Sequence, residues 1–172
     1  MGLGSWLWCG PGLAAAMGIA TAAFALEPLP SPAGEVILTV TGDIGVQNSG
    51  DTAVFDLAMM EGLGAVEITT GTIWTEGEQV FVGVPLATLL TRLGAEGTVV
   101  AASALNDYTI EIPMADAVED GPILAYRQNG QALSVRDKGP LWLIYPYDDN
   151  PDYQTEVIYA RSIWQLARME VR

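Results

Sequence analysis

One stretch of the chain combines a polar turn, an apolar run and a proline stop, and it constrains the fold more than any other. The turn is Asp137-Lys138-Gly139-Pro140, and the run that follows it, Leu141 to Tyr145, has the aromatic and β-branched residues of a buried strand. Pro146 ends the run because proline lacks the N–H that a strand ladder requires. The fold must therefore enclose this strand in a sheet, and the residues at its ends are well placed to face a ligand.

The other predicted elements are short. Hydrophobic periodicity and Gly or Pro punctuation predict strands at 35–41, 65–70, 98–103, 108–112 and 122–126, helices at 54–63 and 85–93, and a long final strand at 158–171. Trp142 and Trp164 are placed within strands, where core packing is the expected role. Because strands and helices do not follow a strict β-α-β order, the pattern indicates an α+β domain.

The N-terminus is typical of an exported protein. An apolar run ends at Ala23-Phe24-Ala25, which predicts a signal peptide over residues 1–25 that is cleaved before Leu26. An uncleaved membrane anchor is the alternative, since the run approaches spanning length. Residues 26–34 are a proline-rich linker, and residues 35–172 are long enough for one domain with its own core.

Two features of the composition exclude whole classes of function. The sequence has no histidine, and its one cysteine is Cys9 in the leader, so a Ser-His-Asp triad and a His-ligated metal are excluded, as is a thiol nucleophile in the mature chain. The net charge is −14, and all seven cationic side chains lie at or after Arg92. Such a surface repels phosphate backbones, so no nucleic-acid partner is expected.

Several residues are candidates for binding, each with a structural alternative. Trp74, in a polar loop at 71–78, is either a loop anchor or a flat ring that stacks on a planar ligand. Asn106-Asp107-Tyr108 is either a plain turn or a site where a carboxylate accepts hydrogen bonds from an aminopyrimidine edge. Lys138 and Arg161-Ser162 either pair with nearby acids or donate to a ligand carbonyl or phosphate.

Five pieces of sequence, in this order, resemble the oxidoreductase molybdopterin-binding domain family, which has the sulfite-oxidase fold. They are Thr72-x-Trp74 with Gly83-Val-Pro-Leu-x-x-Leu-Leu90, Ala104-Leu-Asn-Asp-Tyr108-x-x-x-Ile112-Pro113, Leu124-Ala-Tyr126 with Asn129-Gly130, Gly139-Pro140-Leu141, and Ala160-Arg-Ser-Ile-Trp164. The resemblance covers about Glu35 to Val171 and implies mixed β-sheets with a few short helices.

The sequence differs from the family in the residues that bind the metal and the cofactor. Molybdenum enzymes of this fold hold the metal through a cysteine near the strand that here reads Glu67-Ile-Thr-Thr-Gly71, and they contact the cofactor through histidines. Neither residue type exists in the mature chain, so molybdenum and sulfite-type redox chemistry are not expected. The chain is similar to cysteine-less, exported members, the PruR-type branch, which bind a free reduced pterin in the periplasm.

That resemblance implies a non-catalytic, periplasmic sensor for a reduced pterin of the tetrahydropterin type, which signals to a membrane-bound cyclic-di-GMP enzyme. A divergent molybdopterin-dependent oxidoreductase is the alternative.

The same resemblance assigns roles to the candidate residues. Arg161 and Ser162 match the family's Arg-Ser segment near the pterin, and Asp107 and Tyr108 match its Asp-Gly-Tyr loop loosely. The hypothesis that follows has the pterin stacked on Trp74. Asp107 or Asp137 accepts hydrogen bonds from its aminopyrimidine edge, and Arg161 and Lys138 contact its carbonyl or tail. Lys138 lies at the mouth of the cleft, and Tyr145 and Tyr147 lie towards its far end.

Overall fold

The computed structural model describes Met1 and residues 27–172. The predicted signal peptide and its cleavage site lie outside the described residues. No helix in the described part is long and apolar enough to cross a bilayer. The linker from residue 27 to residue 34 contains no helix or strand, and it is tied to the domain by hydrogen bonds. Pro30 O accepts from Asn48 Nδ2 at 2.7 Å, and Pro28 O accepts from Arg92 Nη2 at 3.0 Å.

The described residues from 27 to 172 form two five-stranded sheets. The first has the order β2-β1-β10-β5-β6, with β1 Val36–Gly42, β2 Ala53–Asp56, β5 Val99–Ala104, β6 Thr109–Pro113 and β10 Leu166–Val171. The second has the order β3-β4-β7-β8 with β9 also paired to β7, and its strands are β3 Val66–Gly71, β4 Glu78–Pro85, β7 Ile123–Gln128, β8 Gln131–Ala132 and β9 Trp142–Ile144. Strands β1 and β10 are parallel and the other pairs are antiparallel, so the first sheet is mixed.

Within residues 27–172 there are three short helices: α1 Leu57–Gly62, α2 Leu86–Leu93 and α3 Glu156–Arg161. There are also 3-10 turns at Met114–Asp116, Val135–Asp137 and Pro151–Tyr153. Both sheets and all three helices contribute side chains to one hydrophobic cluster, which makes them a single folding unit.

Helix α2 confirms the prediction for 85–93. Leu86, Leu89, Leu90 and Leu93 are all buried, as their spacing on one face requires. Gly94 ends the helix with φ 57°, a left-handed conformation that glycine adopts without a Cβ clash.

The predicted strand of the opening stretch is also confirmed, as β9. Residues 141 to 147 are all buried, and Trp142, Leu143 and Ile144 pair with β7. The preceding segment is not extended, since Val135–Asp137 forms a 3-10 turn and Lys138 follows it with φ 73°.

Three predictions of secondary structure were wrong or incomplete. The helix expected at 54–63 begins only at Leu57, because the Asp56 carboxylate accepts the Met59 N–H at 2.8 Å and caps the helix there. The final strand expected at 158–171 is helix α3 followed by a turn and then β10. Gln165 has φ 52° at that turn, which interrupts an extended chain. Strand β4, at the centre of the second sheet, was not predicted.

A close approach of two strands explains why the Gly83-Val-Pro-Leu motif begins with glycine. A Cβ at this position would lie 2.3 Å from Leu124 O and 2.6 Å from the Ala125 Cα, both backbone atoms of β7. The register of β4 against β7 shifts between Val82 and Gly83. Glycine is therefore required by the close approach of two strands.

We predict that Gly83→Ala lowers the free energy of unfolding by about 1–3 kcal/mol, because the added methyl must push β4 away from β7. Gly62→Ala is the matched control, since nothing lies within 4 Å of its Cβ position and alanine favours the helical backbone. Urea unfolding of both variants measures the difference. Equal stability of the two variants would contradict this role of Gly83.

Candidate functional site

A cleft of about 430 Å³ is the strongest candidate for a binding site in the described part of the chain. Its volume lies in the range of roughly 300–1,000 Å³ that small-molecule sites occupy. Its walls come from the 72–77 loop, the β5–β6 turn and the segment that joins α3 to β10. The lining residues are Trp74, Ala104, Asn106, Tyr108, Tyr159, Ala160, Ser162, Ile163 and Trp164.

Trp74 is both a loop anchor and a wall of the cleft. Its backbone N–H donates to Thr72 Oγ1 at 3.1 Å, which fixes the loop. Its ring meets three others edge-on, with centroids 5.8 Å from Trp142, 5.8 Å from Tyr159 and 5.7 Å from Trp164. Edge-to-face pairs at this distance are favourable, so the loop is held by aromatic packing. The two roles proposed for Trp74 from the sequence are compatible.

Trp164 is the main correction to the predicted site. It was expected in the core, but it is 40% exposed and forms a wall of the cleft. The left-handed turn at Gln165 separates it from β10, so the alternation of the strand does not extend back to it. Its neighbours Ser162 and Ile163 are buried instead.

Ser162 holds the base of the cleft in place. It is only 1% exposed, and its hydroxyl donates to Ile158 O at 2.8 Å. Since that bond uses the serine proton, the Tyr147 hydroxyl donates to Ser162 Oγ, at 2.5 Å. The Ser162 carbonyl accepts from Trp142 Nε1 at 3.1 Å. Burial raises the pKa of Tyr147 to about 12, so this donor keeps its proton at neutral pH.

Arg161 does not line the cleft. Its Nη1 lies 2.9 Å from Asp116 Oδ2, and both side chains are mostly buried. The Tyr145 hydroxyl donates to the same oxygen at 2.7 Å. Burial, together with the Asp116 hydrogen bond, raises the pKa of Tyr145. Arg161 and Tyr145 were both predicted to face a ligand. Both instead bind the Asp116 carboxylate beside the cleft.

The β5–β6 turn presents different residues from those expected. Asp107 has φ 65°, and its side chain is 85% exposed and forms an ion pair with Arg168 at 2.6 Å. Asp107 does not line the cleft, whereas Tyr108 and Asn106 do. Asn106 Oδ1 accepts the Tyr108 N–H at 3.2 Å, which leaves the side-chain NH₂ able to donate to a ligand.

Asp137 and Lys138 also lie outside the cleft lining. The Asp137 carboxylate accepts from the Ser134 hydroxyl at 2.6 Å. Lys138 Nζ lies 5.2 Å from the centroid of the Trp142 ring, within the range of a cation–π contact. Lys138 therefore contacts the Trp142 ring and does not line the cleft.

The structure brings together three of the eight predicted site residues: Trp74, Tyr108 and Ser162 line one cleft. The other five are placed elsewhere, and their ligand roles remain predictions: Asp107, Asp137, Lys138, Tyr145 and Arg161. Sequence reasoning missed six lining residues: Ala104, Asn106, Tyr159, Ala160, Ile163 and Trp164. The sequence could have indicated most of them, because they are next to the candidate pair Arg161-Ser162 or belong to the candidate turn Asn106-Asp107-Tyr108.

The cleft is electrically neutral. None of its lining residues is Asp, Glu, Lys or Arg, although the chain carries a net charge of −14. Its polar side-chain groups are hydroxyls, indole N–H groups and one amide. A flat, uncharged heterocycle with hydrogen-bonding edges matches this surface.

Comparisons with known proteins bear on the fold and the family. A family model described as "Oxidoreductase molybdopterin binding domain" matches residues 56–148. No curated protein sequence matches the chain. Among solved structures, the sulfane dehydrogenase SoxCD from Paracoccus pantotrophus is similar, with a TM-score of 0.59 and 19% sequence identity. The match covers 78% of this chain and 37% of that chain, so this protein corresponds to about a third of its length.

The side chains present do not fit a molybdenum ion held by a thiolate. Residues 27–172 contain no cysteine and no histidine, and nowhere among them do three Asp or Glu side chains gather in a metal-binding group. Gly71, at the end of the Glu67–Gly71 segment, lies beside Asp148, whose Oδ2 accepts the Gly71 N–H. Soft thiolate ligation has no donor in this region.

We predict that the protein loses stability between pH 10 and about pH 12. An unfolded tyrosine ionises near its ordinary pKa of 10.0, whereas folded Tyr147 holds its proton up to about 12. The free energy of unfolding therefore falls as pH rises through this window, by up to about 1.4 kcal/mol per pH unit for one tyrosine. Tyr147→Phe removes that contribution. Tyr145, whose pKa is also raised, still supplies part of the slope.

Urea unfolding at several pH values measures this slope. The variant should show a shallower decline than the parent, and a cost of about 1 kcal/mol at neutral pH from the lost bond to Ser162. An alkaline slope that is the same in both proteins would contradict the buried, proton-donating state of Tyr147.

Proposed function

Because the chain belongs to the oxidoreductase molybdopterin-binding domain family, we propose that its aromatic cleft binds a free reduced pterin and that it does so without catalysing a reaction. The fold is the sulfite-oxidase-like one, with mixed sheets and a few short helices. The family supplies the class of ligand, since pterins are the organic part of molybdopterin. This protein's own residues support the narrower proposal of a free pterin of the tetrahydropterin type.

The neutral, aromatic character of the cleft carries the proposal. The rings of Trp74, Tyr108, Tyr159 and Trp164 surround a space of about 430 Å³. The aminopyrimidinone ring of a reduced pterin is flat and uncharged, with donors and acceptors along one edge, so it can stack on such rings while an amide pairs with its edge. Asn106 has that amide, and it takes the place of the carboxylate at Asp107 in the hypothesis drawn from the sequence.

The absence of thiol and imidazole side chains from residues 27–172 supports a binding role over redox chemistry. In a molybdenum enzyme the protein holds the metal and tunes its electronics through such ligands. The residues around this cleft can stack on a planar ring, and none of them is a nucleophile paired with a base. A divergent oxidoreductase would need to hold its metal through oxygen ligands alone.

We further propose that the protein acts in the periplasm and signals to a membrane-bound cyclic-di-GMP enzyme. The leader supports export, and the resemblance to the PruR-type branch supports the partner. Leu105, Tyr108 and Trp164 add a structural reason, because they are exposed apolar side chains on the cleft and its adjoining turn. A partner that contacts them would meet a different surface when a ligand fills the cleft.

Binding is tested by titrating the purified mature protein with a tetrahydropterin while following tryptophan fluorescence. We expect saturable quenching, since Trp74 and Trp164 line the cleft. Trp164→Ala should weaken binding roughly tenfold or more, because stacking on one aromatic ring contributes about 1–3 kcal/mol. Val157→Ala is the control, since Val157 is exposed on helix α3, near Trp164 in the sequence, and does not line the cleft.

Two results would overturn the proposal. One is the absence of a saturable change with any tetrahydropterin. The other is near-stoichiometric molybdenum in the purified protein, which metal analysis measures directly and which would establish the oxidoreductase alternative.

The signalling proposal is tested in cells. Deleting the gene should change the cellular level of cyclic-di-GMP, and the parent and the Val157→Ala variant should both restore it. Trp164→Ala should not restore it, because binding would be impaired. A cyclic-di-GMP level that is unchanged by the deletion would contradict the proposed partner.

A further inference from the structure

A second cavity lies against the first and has a different chemical character. It has a volume of about 430 Å³ and is bounded by the 72–77 loop, the start of β4 and the segment after β9. Its lining residues are Gly71, Thr72, Ile73, Thr75, Gly77, Glu78, Tyr147, Asp148, Gln154 and Tyr159. Polar and acidic groups predominate here, whereas the first cleft is aromatic and neutral.

Tyr159 is a shared wall of the two cavities. Its ring centroid lies 5.8 Å from that of Trp74 on the first cleft and 5.3 Å from that of Tyr147 on the second. Tyr147 in turn bonds to Ser162, which lines the first cleft. The two cavities are therefore adjacent at Tyr159, and the loop that carries Trp74 borders both.

The second cavity presents hydrogen-bond acceptors that have no partner. Asp148 uses Oδ2 to accept from the Gly71 N–H and the Thr70 hydroxyl, while Oδ1 has no hydrogen-bond partner within residues 27–172. The Glu78 carboxylate has neither a hydrogen bond nor an ion pair to any residue that the structure describes. Free carboxylate oxygens bind hydroxyl donors.

The same groups repel anions. No Lys or Arg lines either cavity, and the second contains two carboxylates in a chain of net charge −14. Both carboxylates are exposed, so water and salt screen them in part, but like charges in a binding site still disfavour an anionic ligand. A phosphate at the end of a ligand would meet Asp148 and Glu78 with no cation to offset them.

We propose that the second cavity takes the uncharged, hydroxyl-bearing side chain of the ligand and so selects unphosphorylated pterins over their phosphate esters. This inference rests on the proposed function, since it requires the pterin ring to occupy the first cleft. It assigns Asp148 and Glu78 as specificity-determining residues. It also places phosphorylated pterins, molybdopterin among them, outside the ligand range of this protein.

Three probes test the inference on the mature protein: tetrahydroneopterin, its phosphate monoester, and 6-methyltetrahydropterin, which lacks the hydroxylated side chain. We expect tetrahydroneopterin to bind most tightly. The methyl compound should bind roughly tenfold more weakly because it forms no bonds in the second cavity. The phosphate ester should bind at least about tenfold more weakly than tetrahydroneopterin because of the carboxylates.

Glu78→Lys should narrow or reverse the difference in affinity between tetrahydroneopterin and its phosphate ester, since it places a cation in the second cavity. Glu96→Lys makes the same change of charge at an exposed residue outside both cavities and should leave the difference intact. Glu78→Gln, a smaller change, should narrow the difference if the lysine variant does not fold.

The outcomes separate this inference from the proposed function. If tetrahydroneopterin and its phosphate ester bind equally well, the selectivity is overturned and the proposed function stands. If none of the three probes binds, both are overturned. If Glu96→Lys narrows the difference as much as Glu78→Lys does, the effect comes from net charge and the assignment to the second cavity is overturned.

Discussion

The fully buried indole of Trp142 contacts the parts of the protein that hold the cleft in place. Its ring packs against Phe81 in the second sheet and against Trp74 in the 72–77 loop, with centroids 5.5 Å and 5.8 Å away. Its Nε1 donates to Ser162 O at 3.1 Å, which fixes the segment between α3 and β10. One side chain thus joins a sheet, a loop and a turn that lie far apart in the sequence. Two of the three walls of the aromatic cleft are therefore positioned by Trp142.

This arrangement explains how a protein of the family can keep a ligand site without a metal. The cleft is built from aromatic packing and backbone hydrogen bonds, and neither requires a metal ligand. Arg161 and Tyr145 are bound to Asp116 beside the cleft, so the neighbouring charges are already satisfied and the cavity wall stays neutral. A site of this kind binds through shape and stacking, and its specificity arises where a ligand extends beyond the ring.

The elements that the sequence predicted correctly are those with a strong local signal. The leucine stripe of α2 and the proline-bounded run of β9 each bury a face that a short window of sequence reveals. The site was harder to predict, because a left-handed residue at Gln165 reverses the orientation that strand alternation gives to Trp164. The partner of Arg161 is Asp116, which is 45 residues away, so no local pattern could show that this cation is already paired. The resemblance to the family supplied the class of ligand, which no single residue indicated.

A crystal structure of the mature protein with a bound tetrahydropterin would locate the ligand. We expect electron density for the pterin ring between Trp74, Tyr159 and Trp164, with its aminopyrimidine edge near Asn106 and its side chain directed past Tyr159. Density for the pterin at another surface, with the aromatic cleft empty or closed by its own side chains, would show that the cleft is not the pterin site.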